Sequence, residues 1–472
     1  MDSAAVLIEK LEKAGHKTYI VGGAVRNKLL GLPQKDIDIV TLAQPEDICR
    51  VAERNNWATH QVGRAFGIII VVIRGKAYEV ASARRERYGE DSHRPEEVTF
   101  VKDIEQDLAR RDFTINAMAL DSSGKLIDPF GGRNDLERKV IRTVGDPLLR
   151  FAEDGLRPFR AVRFAAQLGF TIDSATLSAI PPSLFRVKGL SVERVAGEIR
   201  KILLAPYPGY GLDLLADTGL AGCTCTANTG GHKIRVNILG ELLHLRGLEQ
   251  NPRYHSLDVW QHTLAVVDGV PPDPVLRWAA LLHDTGKGTP GVRGLNKKGE
   301  ISDHGHEKVS ARMAETLLFR LKEPRSITDR VTWLVANHMS FPLPERKYVL
   351  RWLLKRAKKF SCRREMEEAV RQLLILGRAD MSAGKIKPRQ EVMDLLEKEF
   401  AKAFEQIPLY PADLAINGKE IAHIVGTGPQ VRRSLNRLLE RVQKGELENE
   451  YSVLREALVN QARGKRDPCS LR

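Results

Sequence analysis

The stretch TYIVGGAVRNKLLGLPQKDIDIVT, residues 18–41, decides the fold of the first part of the chain. An apolar run ends in two glycines, and Arg26 follows. Asp36 and Asp38 come next, with one residue between them. Because side chains alternate faces along a strand, the two carboxylates should point the same way, with the isoleucine between them directed into the core. Two carboxylates this close repel each other unless a cation lies between them, which predicts a Mg²⁺ site.

The residues around this carboxylate pair suit a nucleotide phosphate. Gly22 and Gly23 let the backbone approach a phosphate at the start of a helix, where unpaired N–H groups favour an anion. Arg26, one turn further on, is expected to contact the same triphosphate. Glu79, in the predicted strand AYEVA, is a candidate third carboxylate for a two-metal site of the kind used in phosphoryl and nucleotidyl transfer. A lone D-x-D pair is common on surface strands, but G-G-x-x-R followed by D-x-D is more specific.

Length and composition indicate a soluble, globular, multidomain protein. A chain of 472 residues is too long for one core, and 42% hydrophobic with 28% charged residues argues against disorder. The formal net charge of +14 suits a polyanionic partner such as nucleic acid. No apolar run approaches the roughly 20 residues needed to span a bilayer, and the N-terminus has no signal-peptide pattern, so we expect a cytoplasmic protein without a membrane partner.

Hydrophobic patterning divides the chain into an α/β part and a helical part. TYIVGG, DIDIVT, GIIIVVIRG and AYEVASA are predicted strands, PEDICRVAERN is a predicted helix, and together they indicate a small α/β (α+β) domain. After DPFGGRNDLERK the pattern is helical to the end, with GTPGVRGLNKKGE as a predicted loop and EQIPLYPADLAING as a predicted linker. Cys223 and Cys225 lack a second cysteine pair nearby to complete a zinc site, so we expect reduced thiols near a loop.

The segment VGGAVRNKLLG…KDIDIV resembles the head of the class II nucleotidyltransferases, the family of the tRNA CCA-adding enzymes and bacterial poly(A) polymerases. DLARRDFTINAMAL, RFAEDGLRPFRAVRFAAQLGF and ERVAGEIRKIL follow in the family's order and extend the resemblance over most of residues 18–204. Asn27 stands where the family usually has aspartate, and Pro158 where it usually has an apolar helix residue, which is tolerable in a first helical turn. The resemblance implies template-independent nucleotide addition with Mg²⁺, and tRNA, CTP and ATP as partners.

Side chains must read the incoming base in such enzymes, because no nucleic-acid template is present. Asp154 only accepts and Arg157 only donates hydrogen bonds, whereas cytosine and adenine both offer an amino donor beside a ring-nitrogen acceptor. Guanine and uracil offer the inverse pattern, so this pair can accept C and A while rejecting G and U. In the family, the equivalents of Glu153, Asp154 and Arg157 have this templating role. Arg160 and Arg163 share a helix face with Arg157 and suit triphosphate or ribose contact.

Two further stretches resemble motifs of the same family. Arg111 and Asp112 in RRDFTIN match the motif that contacts ribose and triphosphate. ARRERYGEDSHRPEEV, residues 83–98, fits the flexible loop that helps switch from C to A addition, with Asp91 and Arg94 near its middle. Enzymes that add only CC tend to have this loop shortened, so its length favours terminal A addition. An enzyme adding only A, one adding only CC, and a poly(A) polymerase remain alternatives.

A second chemistry is indicated further along the chain. VWQHTLAVVD, LRWAALLHDTGKG and LGRADMSAG carry histidines and aspartates on predicted helices, which can bring separated ligands for a divalent transition metal together. The H…HD…D order resembles the HD-domain phosphohydrolases, and two later histidines match positions that expanded sites use for a second metal. The implied ligands are His262, His283, Asp284, His306, His338 and Asp380. The identity of the metal and any hydrolysis of phosphate esters or cyclic phosphates at RNA ends are left open.

The resemblances together imply a nucleotidyltransferase head followed by all-α neck, body, HD and tail regions. The expected divisions are 1–125 for the catalytic head, 126–205 for a base-recognising neck, 206–250 for linker and body helices, 251–390 for the HD domain and 391–472 for a tail that binds tRNA. Residues 346–364 hold nine basic residues and no acidic one, which suits either an RNA backbone track or a solvated helix face. Rival functions are an HD phosphohydrolase with an RNA-binding head and a non-catalytic RNA-binding protein.

Overall fold

A computed structural model describes residues 3–34, 37–63, 66–89, 95–385 and 390–463. Asp36, Asp91 and Arg94, which the sequence singled out, lie outside these ranges. The described residues form a sheet-containing head, followed by a mainly helical remainder.

The head is built on a mixed sheet of seven strands within the described residues, in the order β3-β4-β5-β2-β1-β8-β9. Strand β2 runs parallel to β5 and antiparallel to β1. A hairpin of β6 and β7 forms a separate two-stranded sheet. The strands are β1 (Thr18–Val21), β2 (Asp38–Thr41), β3 (Ala58–Gly63), β4 (Ile68–Ile73), β5 (Lys76–Ser82), β6 (Arg84–Tyr88), β7 (Pro95–Phe100), β8 (Ala119–Leu120) and β9 (Leu126–Ile127).

Helices cover both faces of this sheet, as the alternation within β2 requires. Ile39 packs with α1 (Ser3–Lys13) and α3 (Pro45–Arg54) on one face, whereas Val40 packs with α4 (Ile104–Ala109) on the other. Each of the four predicted strands and the predicted helix is confirmed. The helices of this part are α1 (Ser3–Lys13), α2 (Gly23–Leu29), α3 (Pro45–Arg54), α4 (Ile104–Ala109) and α5 (Gly132–Glu137).

The remainder is mainly helical, and one large hydrophobic core runs from Val25 and Phe113 of the head through the neck to Leu409. The neck helices are α6 (Pro147–Glu153), α7 (Arg157–Leu168), α8 (Ser174–Ser178), α9 (Ile180–Ser183) and α10 (Val192–Leu203). Helix α11 (Pro208–Asp217) follows in the region expected to hold linker and body helices. The next group comprises α12 (Val259–Gly269), α13 (Pro274–Leu282), α14 (His306–Arg320), α15 (Arg325–Asn337), α16 (Arg346–Ala357), α17 (Arg363–Ser382) and α18 (Gln390–Gln406). Pro158 lies in the first turn of α7, where a missing N–H costs no intrahelical bond.

The helical remainder also contains three short two-stranded sheets that the sequence did not predict. Short strands pair as β10 (Val140–Ile141) with β11 (Thr171–Ile172), β12 (Thr224–Thr229) with β13 (His232–Asn237), and β14 (Arg293–Leu295) with β15 (Ile301–Asp303). The β12–β13 hairpin turns at Gly230 and Gly231, both with positive φ, and Cys225 is buried in its first strand rather than near a loop. The predicted loop GTPGVRGLNKKGE contains β14.

The C-terminal helices form a core of their own. Helices α19 (Gly418–Val425), α20 (Pro429–Gln443) and α21 (Tyr451–Arg463) pack around it. The predicted linker EQIPLYPADLAING connects the two cores, because Leu409 is buried in the large one and Ile416 in the small one. No helix among the described residues is both long and apolar enough to cross a membrane.

The basic stretch 346–364 only partly suits an RNA track. Trp352 is buried and donates a 2.6 Å hydrogen bond to the Ser340 carbonyl oxygen, so its ring is not an open stacking surface. Arg356 donates to the Asn337 side chain at 2.7 Å and stacks 4.0 Å from the Trp352 ring centroid. Some of these cations therefore stabilise the helical packing.

Two helical glycines allow a matched test of the neck packing. A Cβ at Gly211 in α11 would lie 2.8 Å from the Ala166 Cβ and 2.7 Å from the Ile202 Cγ2, whereas a Cβ at Gly197 in α10 would meet nothing within 4 Å. We expect Gly211→Ala to destabilise the fold by about 1–3 kcal/mol through overpacking. Gly197→Ala should be neutral or stabilise by about 0.5–1 kcal/mol. Thermal unfolding of both variants tests this, and equal midpoints would contradict the packing.

Candidate functional site

A cavity of about 530 Å³ lies between the head sheet and the neck. Ten residues expected to bind nucleotide or metal line it: Gly22, Gly23, Arg26, Asp38, Arg111, Asp112, Asp154, Arg157, Arg160 and Arg163. Glu79 and Glu153 are not part of this lining, and Asp36 is not among the described residues. The cavity therefore gathers side chains from the head sheet, from the motif after α4 and from α7.

The carboxylate side of the cavity lies where β1, β2 and β5 run next to each other. Asp38 pairs with Val21 at the start of β2, and its side chain is exposed. The parallel register of β2 with β5, in which Ile39 faces Val80, puts Glu79 beside Asp38. Desolvation and then the negative charge of Asp38 raise the pKa of Glu79. Two neighbouring carboxylates, one of which raises the pKa of the other, form a suitable site for a divalent cation.

Gly22 provides the close approach that the opening motif requires. Its φ of 68° lies in the left-handed region. A Cβ there would lie 2.9 Å from the Arg111 Nη1 and 3.7 Å from the Asp38 Oδ2. Only glycine lets this cation and this carboxylate lie on either side of the turn.

Three arginines surround the ring of Phe164 at the other side of the cavity. The guanidinium carbons of Arg26, Arg160 and Arg163 lie 5.1, 5.6 and 4.2 Å from the ring centroid. Burial, followed by the charge of Arg163, lowers the pKa of Arg26 to about 10. The three positive charges therefore repel one another, and a bound anion would offset this repulsion.

Acidic side chains neutralise two of these arginines, and amides hold the third. Asp112 is buried and accepts a 2.6 Å hydrogen bond from the Arg160 Nε. Burial alone would raise the pKa of Asp112, but the charges of Arg160 and Arg157 outweigh it and lower that pKa. Glu198, on α10, lies 3.2 Å from the Arg163 Nε. The partners of Arg26 are the side-chain oxygens of Asn27 and Asn116, at 3.0–3.1 and 2.7 Å.

The expected base-reading pair lies at the neck end of the cavity. Asp154 accepts hydrogen bonds from the Leu156 N–H at 2.9 Å and from the Arg194 Nη2 at 3.2 Å. Arg157 is buried, pairs with Glu153 and donates to the carbonyl oxygens of residues 150 and 110, at 2.9 and 3.1 Å. Both side chains are therefore fixed by neighbours before any ligand binds.

Several lining residues were not singled out from the sequence. They are Glu86, Arg110, Asn116, Leu156, Phe164, Gln167 and Arg194. Arg194 belongs to the quoted motif ERVAGEIRKIL, which was the available signal. Arg194 forms its ion pair with Asp154, which is 40 residues away in sequence, and helical periodicity does not predict a contact at that separation.

The six predicted HD-site residues form a second, separate cluster. His262, His283 and Asp284 could share one ion, and Asp284, His306 and His338 a second, so that Asp284 belongs to both groups. Asp380 completes the cluster, with its Oδ1 3.0 Å from the His262 Nε2. The predicted set is thus brought together by α12, α17 and the ends of α13, α14 and α15.

Backbone hydrogen bonds orient three of these imidazoles. The Nδ1 atoms of His283, His306 and His338 lie 2.8, 2.8 and 2.7 Å from carbonyl oxygens, which can only accept. Each ring therefore donates through Nδ1, and its Nε2 is left to face the cluster, which is the arrangement found in metal-ligating histidines. Burial, and then the neighbouring His283, lowers the pKa of His338 to about 4, so that ring is neutral at pH 7. The donor set fits divalent transition metals.

Two residues of this cluster were not predicted. The Lys287 Nζ lies 2.7 Å from the Asp284 Oδ2, and the His255 ring centroid lies 5.0 Å from that of His262. Both line a cavity of about 380 Å³ that opens onto the cluster. Lys287 stands in the quoted HDTGKG motif, so its spacing from Asp284 was the available signal.

Comparison with known proteins agrees with both sites. Residues 18–142 match the poly A polymerase head domain, residues 169–222 match the probable RNA and SrmB-binding site of polymerase A, and residues 253–381 match the HD domain. The chain is 33% identical over 466 residues to the CCA-adding enzyme of Geobacillus stearothermophilus, covering 98% of both chains. It is also 46% identical to that of Anoxybacillus flavithermus over 217 residues, which is 46% of this chain and 54% of that relative.

Solved structures give the same result for the fold. The Bacillus stearothermophilus CCA-adding enzyme in complex with CTP superimposes with a TM-score of 0.65 at 29% identity, over 99% of this chain and 98% of the other. The Thermotoga maritima CCA-adding enzyme complexed with tRNA shares the fold with a TM-score of 0.52 at 18% identity, over 98% and 94%. The matching head, HD domain and full-length relatives establish that this chain belongs to the CCA-adding enzyme family of tRNA nucleotidyltransferases.

Proposed function

We propose that the protein adds C, C and then A to tRNA 3′ ends, using CTP and ATP. The observation that carries this proposal is the single cavity in which Asp38, the arginines around Phe164 and the Asp154–Arg157 pair meet. Its relatives are CCA-adding enzymes over their full length, and one was solved with CTP. Because tRNA is the proposed substrate, we place the activity in the cytoplasm.

Each group of cavity residues has a distinct role in the proposed reaction. Arg26, Arg160 and Arg163 would bind the triphosphate, because their partial neutralisation leaves positive charge for an anion. Arg111 and Asp112 would contact triphosphate and ribose. Magnesium, held by Asp36, Asp38 and Glu79, would stabilise the negative charge that develops on the attacking and leaving oxygens.

Base choice would rest on two groups that are already fixed in place. Asp154 accepts from the amino group that cytosine and adenine share, and Arg157 donates to their neighbouring ring nitrogen. Glu153 supports this choice indirectly, since it pairs with Arg157 and holds the guanidinium. Guanine or uracil would present the inverse donor and acceptor pattern to Asp154 and Arg157, at a cost of about 1–3 kcal/mol for each mismatched group.

A sequential assay with labelled CTP and ATP tests the product. We expect tRNA that ends at the discriminator base to gain CCA when both nucleotides are supplied, and tRNA that ends in CC to gain A alone. Asp38→Ala should lower incorporation by about a thousandfold or more, because it removes a metal ligand worth several kcal/mol. Glu53→Ala, an exposed carboxylate of the same domain, is the matched control.

The other outcomes of that assay separate the alternatives. Addition of CC without A would make the protein a CC-adding enzyme, and addition of A only to CC-ended tRNA would make it an A-adding enzyme. Long A tracts on unrelated RNA would indicate a poly(A) polymerase. Normal incorporation by the Asp38→Ala variant would contradict the assignment of the head site.

We also propose a metal-dependent phosphohydrolase activity for the HD cluster, acting on phosphate esters or cyclic phosphates at RNA ends. The supporting observation is the pair of ligand groups that share Asp284, with three imidazoles oriented by backbone carbonyls. A bound divalent metal would polarise the phosphate and activate water. Lys287 lines the adjoining cavity, where it can neutralise a phosphate oxygen.

Substitution of the shared ligand tests this second activity. Asp284→Asn should lose both ions after equilibration with Mn²⁺, as counted by elemental mass spectrometry, while His338→Gln should lose one. Both variants should lose hydrolysis of a 2′,3′-cyclic phosphate and keep nucleotide addition, because the two cavities share no lining residue. His304→Gln, an exposed histidine nearby, is the control. Loss of nucleotide addition in a folded Asp284→Asn variant would contradict the division into two sites.

A further inference from the structure

Arg194 brings an unused hydrogen-bond donor to the nucleotide cavity. Its Nη2 donates to the Asp154 Oδ2 at 3.2 Å, and its side chain lines the cavity. Its Nη1 is buried and has no hydrogen-bond partner within the part of the chain that the structure describes. A buried guanidinium N–H without an acceptor is costly, so this atom marks a place where a ligand supplies one.

The position of this donor relative to the base follows from its partner. In the proposed reading, Asp154 accepts from the exocyclic amino group of the incoming base, and Arg157 donates to the adjacent ring nitrogen. Because Arg194 binds the same carboxylate, its second nitrogen would lie on the amino side of a base read in this way, away from Arg157. Arg157 is held from elsewhere, by Glu153 and by the carbonyl oxygens of residues 150 and 110.

The two substrate bases differ on that side. Adenine has N7 next to its amino group, and N7 is a hydrogen-bond acceptor. Cytosine has a C–H group in the corresponding place, which accepts nothing. A donor beside Asp154 can therefore distinguish two bases that the Asp154–Arg157 pair treats alike.

We propose that Arg194 is a specificity-determining residue whose Nη1 donates to N7 of the incoming adenine, favouring ATP at the terminal step. This inference rests on the proposed nucleotide addition and deepens it. Arg194 also keeps Asp154 in place for both bases through its Nη2. The same side chain thus supports the reading of C and A and adds a contact that only A can complete.

An ATP analogue tests the contact without any substitution in the protein. We compare kcat/KM for ATP and for 7-deaza-ATP, in which N7 is replaced by C–H, on tRNA that ends in CC. The wild-type protein should prefer ATP by about tenfold, the usual effect of one hydrogen bond to a charged group. Arg194→Met should reduce this ratio to about one, whereas Glu193→Gln, an exposed neighbour on the same helix, should keep it.

The outcomes distinguish this inference from the proposed function. Equal use of ATP and 7-deaza-ATP by the wild-type protein, with normal incorporation of CTP and ATP, overturns the N7 contact alone. An unchanged preference for ATP in Arg194→Met, or an equal loss of ATP, 7-deaza-ATP and CTP use, also overturns it. Failure of the wild-type protein to incorporate either CTP or ATP overturns the proposed function instead.

Discussion

Repulsion among clustered guanidinium groups is the constraint on which the nucleotide cavity depends. Arg26, Arg160 and Arg163 lie around one aromatic ring, where mutual repulsion and desolvation both oppose their charges. Asp112 and Glu198 each offset one of them, and both acids are buried. The remaining positive charge lowers the folding stability of the protein without ligand and attracts the negative charge of a triphosphate. The site therefore gains affinity for triphosphate at the expense of folding stability.

Asn27 adds to that imbalance. The asparagine gives Arg26 a neutral amide oxygen and not a carboxylate. An aspartate would neutralise the guanidinium through the same contacts. The asparagine therefore leaves more positive charge facing the cavity than an aspartate would.

Local patterns predicted the parts of the molecule that local forces determine. The strand that carries Glu79 and the first turn of α7 at Pro158 depend on residues close together in sequence, and the structure contains both. The six metal-ligand candidates at the HD site could be found because their residue types and order are distinctive.

Contacts that depend on how helices pack against each other could not be predicted from the sequence. Arg194 looks like a solvated charge on an amphipathic helix until α10 packs against α7 and brings it to Asp154. The β12–β13 hairpin was not predicted for a different reason. Its two six-residue strands lie among long helical segments, and only the glycine pair indicates the turn. Tertiary context decides both cases.

The small core of α19–α21 has a consequence for how the molecule responds to heat. Its six buried apolar side chains are separate from the large core, to which the connecting segment contributes Leu409. Regions with few buried contacts open as local cooperative units at free energies below that of global unfolding. The C-terminal helices should therefore unfold at a lower temperature than the nucleotide cavity. At intermediate temperatures the protein should still bind nucleotide, although α19–α21 are unfolded.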